Sequence, residues 1–182
     1  ELKGGIFGAF DLKREIVGRL TECDTGADLG CGTGDLLPEL GEKANLVIGV
    51  DSSPRMLEQA RRHYAGYNKK IQLRIGELEH LPFSNEELDF AVIKMVLHHL
   101  LDPAAGIREA QRALKKGSRL IIADFNKHHD ETLRTRCGDR WLGFSASEIE
   151  NWLTGAGLSV KERTEFPLKG HLTVALYSAA KI

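Results

Sequence analysis

The sequence predicts an α/β fold in which one mostly parallel sheet carries helices on both faces, and three observations support this. Short apolar runs recur along the 182 residues, each nearly continuous rather than alternating, as strands buried on both faces require. Segments with readable helix starts separate these runs. The last two runs are joined too tightly for a helix to lie between them.

The first five strand candidates are Ala27 to Leu29, Leu46 to Val50, Ile71 to Ile75, Phe90 to Val96 and Leu120 to Ala123. Ahead of them, Ile6, Phe7, Phe10, Ile16, Val17 and Leu20 are spaced as one amphipathic helix within an N-terminal segment, residues 1–24. Ser53 before Pro54 is an N-cap followed by proline at the first helical position, and Asp102 before Pro103 repeats the device. Ser145 and Glu148 have capping-box spacing, and Ile149, Trp152, Leu153 and Ala156 then fall on one helical face before Gly157 stops it. Strand and helix in alternation require right-handed crossovers, hence a doubly wound sheet. Leu158 to Phe166 and Leu172 to Ala180, divided by Pro167 and Gly170, complete seven strands as an antiparallel hairpin at one sheet edge. The expectation is a single domain over residues 1–182, with residues 125–147 covering the carboxyl ends of the strands.

Lysine and arginine number 25 against 26 acids, so the formal charge of −1 offers no attraction to a polyanion, and no nucleic-acid partner is expected. Arg108, Arg112, Lys115, Lys116 and Arg119 cluster around a predicted helix end and read as a solvated face that complements the helix dipole. Cys23, Cys31 and Cys137 are odd in number and form no CxxC pair, so neither a disulfide framework nor a zinc knuckle is indicated, and a reducing cytoplasm is expected. No apolar run reaches the roughly 18 residues of a membrane span, and the N-terminus lacks the apolar core of a signal peptide.

The stretch Ala27 to Leu36, ADLGCGTGDL, occupies the predicted turn from the first strand into a helix, at the end of the sheet where doubly wound folds bind ligands. Gly30, Gly32 and Gly34 bring bare backbone up to a ligand, and Thr33 or Asp35 is positioned to cap the next helix. A dinucleotide fingerprint runs GxGxxG, whereas these glycines run GxGxG with Asp35 at the third fingerprint position. Asp28 and Asp35 flank the loop, which disfavours a pyrophosphate and favours a ligand with a cationic amine; S-adenosylmethionine, an amino acid and sulfonium on a nucleoside, fits that pattern. Asp51 ends the second strand where an acid accepts ribose hydroxyls. A capping role beside Ser52 and Ser53 is its bland alternative, and the coincidence with the glycine loop favours the ribose.

These residues resemble the class I S-adenosylmethionine-dependent methyltransferases. DLGCGTG is similar to their first motif, GVDSSPRML to the acidic end of their second strand, GELEHLPF to their adenine-contacting loop, and FAVIKMVLHHLLDP and LKKGSRLIIADF to their fourth and fifth strand segments. The resemblance is nearest to the small-molecule group of ubiquinone/menaquinone C-methyltransferases and arsenite methyltransferases. The tail DETLRTRCGDRWLGFSASEIENWLTGAGL is similar to methyltransferase domains fused to winged-helix repressors. It implies a Rossmann-like fold, S-adenosylmethionine as cofactor, S-adenosylhomocysteine as product and a small-molecule acceptor. Carried over by position, Asp28, Gly30, Cys31, Gly32, Thr33 and Gly34 hold the methionine part and Asp51 the ribose. Ser52 and Met56 line the adenine side, Gly76, Glu77 and Leu78 meet the adenine edge, and Lys94, Met95 and Val96 offer backbone near the sulfonium. The family more often has aspartate where Glu77 stands.

Methyl transfer from a sulfonium is chiefly a matter of alignment, so a base is needed only for a protonated nucleophile. His98 and His99 follow the fourth strand and suit either proton removal or a structural tie, and His128, with His129 and Asp130, lies in the cover, suited to substrate contact or solvation. Trp141 and Phe144 either wall the pocket or pack a helix; Arg134, Arg136 and Arg140 either pair with an acidic substrate or are solvated. The histidine pairs are adjacent rather than spaced as zinc ligands, so no metal site is expected. Capture of arsenite by three thiols is disfavoured, since Cys23 precedes the first strand. The rival readings are a non-catalytic module that binds S-adenosylmethionine and S-adenosylhomocysteine, and a nicotinamide-dependent oxidoreductase, the latter disfavoured by the glycine spacing and the reversed hairpin.

Overall fold

The computed structural model describes residues 11–66 and 70–182, so Ile6, Phe7 and Phe10 of the expected N-terminal helix lie outside the described residues. The remainder of that helix is α1 (Leu12–Val17), whose start is capped by Asp11 accepting the Arg14 N–H. Then follow β1 (Cys23–Leu29), α2 (Leu37–Leu40), β2 (Ala44–Asp51), α3 (Pro54–His63), β3 (Lys70–Ile75), β4 (Leu88–Lys94), α4 (Pro103–Ala113), β5 (Leu114–Phe125), α5 (Thr132–Cys137), α6 (Ala146–Gly155), β6 (Leu158–Pro167) and β7 (Thr173–Lys181). Among these described residues, no helix is long and apolar enough to cross a membrane.

The seven strands form one sheet in the order β3-β2-β1-β4-β5-β7-β6. Strand β7 runs antiparallel to β5 and β6, and the remaining pairs are parallel. The reversed hairpin therefore stands at one edge, as the short final connection requires. The order reverses between β1 and β4, which opens a crevice at their carboxyl ends. Burial on both faces is visible within single strands: Val47 belongs to one buried cluster with Leu37, Leu57 and Val92, whereas its neighbour Ile48 belongs to another with Leu29, Ile93 and Ile107. Alternate residues thus feed opposite cores, which explains the unbroken apolar runs.

Three helix starts follow from the sequence. Ser53 accepts the Met56 N–H, Asp102 accepts the Ala105 N–H, and Ser145 and Glu148 complete a capping box. The start of α2 differs: Leu36 precedes it without a side-chain cap, and Asp35 turns instead to Lys94, whose Nζ lies 2.8 and 2.9 Å from the two carboxylate oxygens. The glycine loop coils on itself, Gly34 N–H bonding to the Cys31 carbonyl, so neither Thr33 nor Asp35 stands at the position before the first helical turn. Strand β4 stops at Lys94 rather than Val96, because Met95 has φ of 58° and leaves the extended region.

The basic cluster is more structural than a solvated face. Lys115 bonds to Asp89, Arg119 donates to Ser178, and Arg112 becomes part of a clamp. Residues 76–87, which join β3 to β4 without a helix, are fastened to α4 by this clamp. Glu109 accepts the Leu81 N–H at 2.9 Å, and Arg112 donates to Glu109 and to the Leu81 and Phe83 carbonyls. Bonding to Arg112 outweighs burial and holds the Glu109 carboxyl below its ordinary value of 4.5. A depressed carboxylate stabilises the fold above its unfolded pKa, and that contribution fades as pH falls through the folded value. Glu109→Gln is expected to cost about 1 to 2 kcal/mol near neutral pH. Denaturant titrations should show the gap from wild type closing below pH 4.5; a gap constant with pH would contradict the clamp.

Candidate active site

The carboxyl ends of β1, β2 and β4 surround a cavity of about 820 Å³. Where β1 ends, Gly30 and Cys31 both donate their N–H groups to the Val50 carbonyl, at 2.8 and 2.9 Å. Asp51 then fastens three segments at once. Its carboxylate accepts the Gly32 N–H at 2.8 Å and the Ser53 N–H at 2.9 Å, and its carbonyl accepts the Gly76 N–H at 3.1 Å. The bland role foreseen for Asp51 is therefore real, and each carboxylate oxygen keeps lone-pair capacity on a residue that lines the cavity.

The glycines of the loop do different work. Gly30 has φ of 82°, and a Cβ there would sit 2.5 Å from a Val96 methyl, so this backbone is pressed against the turn that follows β4. Gly32 has φ of 54°, and among the described residues nothing lies within 4 Å of its Cβ position.

Ten residues expected to hold a cofactor line the cavity: Gly30, Gly32, Asp51, Ser52, Met56, Gly76, Glu77, Leu78, Met95 and Val96. Five stand back from it. Asp28 is buried in β1 beneath the loop. Cys31 turns inward against Gly49, where burial pushes its thiol well up. Thr33 and Gly34 are absent from the cavity lining, Gly34 being close to Leu37 and Tyr64, and Lys94 is spent on Asp35. Ser53, Glu79, His80, Leu100, Leu101, Asp102 and Ala105 also line the cavity without having been singled out for it. Their signal was adjacency, since they continue the segments already picked out into the starts of α3 and α4.

The three histidine candidates separate. His99 lines the cavity and its side chain is 37% exposed. His98 is buried, with Nδ1 2.6 Å from Asp124 Oδ1, which also accepts the Phe125 N–H at 2.7 Å. Its carbonyl accepts the N–H groups of Arg140 and Trp141, so His98 ties β4, β5 and the cover together. His128 stands away from the cavity; its Nδ1 accepts the Asp130 N–H, and burial lowers its pKa. The carboxylate of Asp139, buried in the cover, lies 3.8 Å from both His98 Nε2 and His99 Nδ1.

The cover lies along the end of β5, with Lys127 N–H bonded to the Phe144 carbonyl and Phe144 N–H to that of Phe125. Phe144 is buried between Trp141 and Trp152, and Trp141 donates its indole N–H to the Leu100 carbonyl, so both pack the cover rather than wall the cavity. Arg134 pairs with Glu131, and Arg136 and Arg140 are exposed. The thiols do not converge: Cys137 is exposed, Cys31 is buried, and Cys23 starts β1 with its pKa raised to about 11 by burial.

A family described as a methyltransferase domain matches residues 27–122, just over half of the chain. The chain belongs to that family. An uncharacterized 37.1 kDa protein in transposon TN4556 of Streptomyces fradiae is 36% identical over 104 residues, 56% of this chain and 30% of that protein. A demethylmenaquinone methyltransferase of Corynebacterium kroppenstedtii is 37% identical over 99 residues, 54% of this chain and 41% of the relative. This methyltransferase domain thus spans less than half the length of these curated relatives. In fold, a SAM-dependent methyltransferase of Methanosarcina mazei superposes with a TM-score of 0.80 at 21% identity, over 95% of this chain and 99% of that one. Family and fold are those the sequence resemblance implied.

The two glycine roles make separable predictions. Gly30→Ala combines a left-handed backbone with a clash against Val96 and is expected to cost about 2 to 4 kcal/mol, whereas Gly32→Ala carries only the backbone penalty of about 1 to 2 kcal/mol. Equal losses of melting temperature in the two variants would contradict this division.

Proposed function

We propose that this methyltransferase domain binds S-adenosylmethionine in the cavity and transfers its methyl group to a small-molecule acceptor. The observation that carries this reading is Asp51: a carboxylate already fixed by the Gly32 and Ser53 N–H groups, with acceptor capacity left where a ribose would lie. The space that the described residues leave at the Gly32 Cβ position fits a ligand drawn close to bare backbone. Asp28, buried at the end of β1 beneath the loop, is the acid that would favour a cationic amine there.

The bound cofactor supplies an electrophilic methyl group on a sulfonium. In this reading Asp51 accepts the ribose hydroxyls, Met56 and Leu78 offer apolar surface to the adenine, and Glu77 accepts from its amino edge. Backbone at Gly30 and Gly32, facing Met95 and Val96, positions the methionine part. Orientation of this kind supplies effective molarities of about 10⁵ to 10⁸ M, so in-line displacement needs no side-chain base when the acceptor arrives as a competent nucleophile. Leu100 and the exposed Leu101 give the cavity an apolar side suited to an acceptor with an apolar face. Demethylmenaquinone, the acceptor named for the Corynebacterium kroppenstedtii relative, is the first to assay.

Calorimetric titration of S-adenosylmethionine and S-adenosylhomocysteine tests the reading. Wild type should bind both, and Asp51→Ala should weaken each by about 10- to 100-fold, the loss of hydrogen bonds to a charged group. Affinity unchanged in a variant shown by its melting curve to be folded would overturn the assignment.

A further inference from the structure

The turn after β4 meets the cover in a buried polar group that cofactor binding does not use. His98 and Asp139 are 2% and 5% exposed, and among the described residues Asp139 Oδ1 has no hydrogen-bond partner. Asp124 Oδ1 accepts the Phe125 N–H, and a carboxylate has no hydrogen of its own to give, so His98 Nδ1 donates to it. With one proton, on Nδ1, the ring presents Nε2 as a lone pair to the buried Asp139 carboxylate across 3.8 Å. Two acceptors opposed in an interior repel unless something positive lies between them.

The separation suits a metal ion better than a shared proton. A proton shared between nitrogen and oxygen would draw them to about 2.7–2.9 Å, so a gap of 3.8 Å is too wide for a hydrogen bond. A metal ion bound at about 2.0–2.2 Å to both atoms spaces them by roughly 3.4 Å at a tetrahedral angle, and by more as the angle opens. His99 Nδ1 lies at the same 3.8 Å from Asp139 Oδ1, and the three atoms are within 4.8 Å of one another. Asp124 stands behind His98 as the carboxylate that fixes a metal-bound imidazole in its tautomer.

We infer that His98 Nε2, His99 Nδ1 and Asp139 Oδ1 form a site for one zinc-class divalent cation beside the cavity. Two imidazoles and one carboxylate are a ligand set of that class, and three protein ligands leave a coordination position open. Access to the ion runs past His99, the member that lines the cavity, so a heteroatom of a cavity ligand can reach it. The spacing argument against a metal compared neighbours in sequence, whereas here the third ligand arrives from the cover, far along the chain. The site stands on this geometry alone and is independent of the cofactor reading.

The test uses the full chain, stripped with a chelator and titrated with zinc chloride by calorimetry, with cobalt(II) absorption as a second readout. The expected result is one ion per chain with micromolar affinity or better, weakened at least about 100-fold by His99→Ala and by Asp139→Asn. Asp124→Asn should cost about 10- to 100-fold, as loss of an orienting carboxylate does. Melting curves of the stripped variants establish that they are folded, and His99→Ala, at a partly exposed position, keeps the test decisive if the buried substitutions do not fold. Absence of zinc binding by wild type, binding retained in folded His99→Ala, or binding lost only on Cys137→Ser would each overturn the assignment.

Discussion

Asp51 carries the interaction on which the site depends. Parallel strands that end side by side leave their last backbone groups without ladder partners, and the loops that follow must be fixed by something other than the sheet. Here one carboxylate, accepting from Gly32 and Ser53, and one carbonyl, accepting from Gly76, join the loops after β1, β2 and β3. The cavity is the space these tied loops leave open, and the same carboxylate faces into it. The residue that fixes these loops is therefore also the one proposed to hold the ribose.

The rest of the site is arranged around that tie by longer-range contacts. The Glu109 and Arg112 clamp holds the segment bearing Gly76, Glu77 and Leu78 against α4. On the other side, Met95 leaves the strand region at φ of 58°, turning the chain toward His98 and His99. Asp124 at the end of β5 anchors His98, and the cover returns to the His98 carbonyl through Arg140 and Trp141. The proposed acceptor side is thus built from elements distant in sequence, and the proposed cofactor side from loops consecutive with their strands.

That difference sets what could be read from the sequence. Strand runs, the Ser53, Asp102 and Ser145 caps, and the bond from the Ser53 N–H to Asp51 depend on residues within a few positions of one another, where spacing is informative. The same reasoning failed for Thr33 and Asp35, because it took the helix to start directly after the glycines and did not see Lys94 on the neighbouring strand competing for Asp35. It could not tell that Cys31 faces Gly49 while Gly32 faces the cavity, since adjacent loop residues point according to backbone angles that composition does not fix. Nor could it bring Asp139 to His98 and His99, a juxtaposition created only when the cover folds over the sheet.

The most direct test of the central claim is a crystal structure of the chain with S-adenosylhomocysteine. The account predicts both ribose hydroxyls within hydrogen-bond distance of the Asp51 carboxylate, with the adenine beside Met56 and Leu78 and the amino-acid end over the Gly30 to Gly32 backbone. A nucleoside bound elsewhere, or bound in this cavity with its ribose turned away from Asp51, would contradict it.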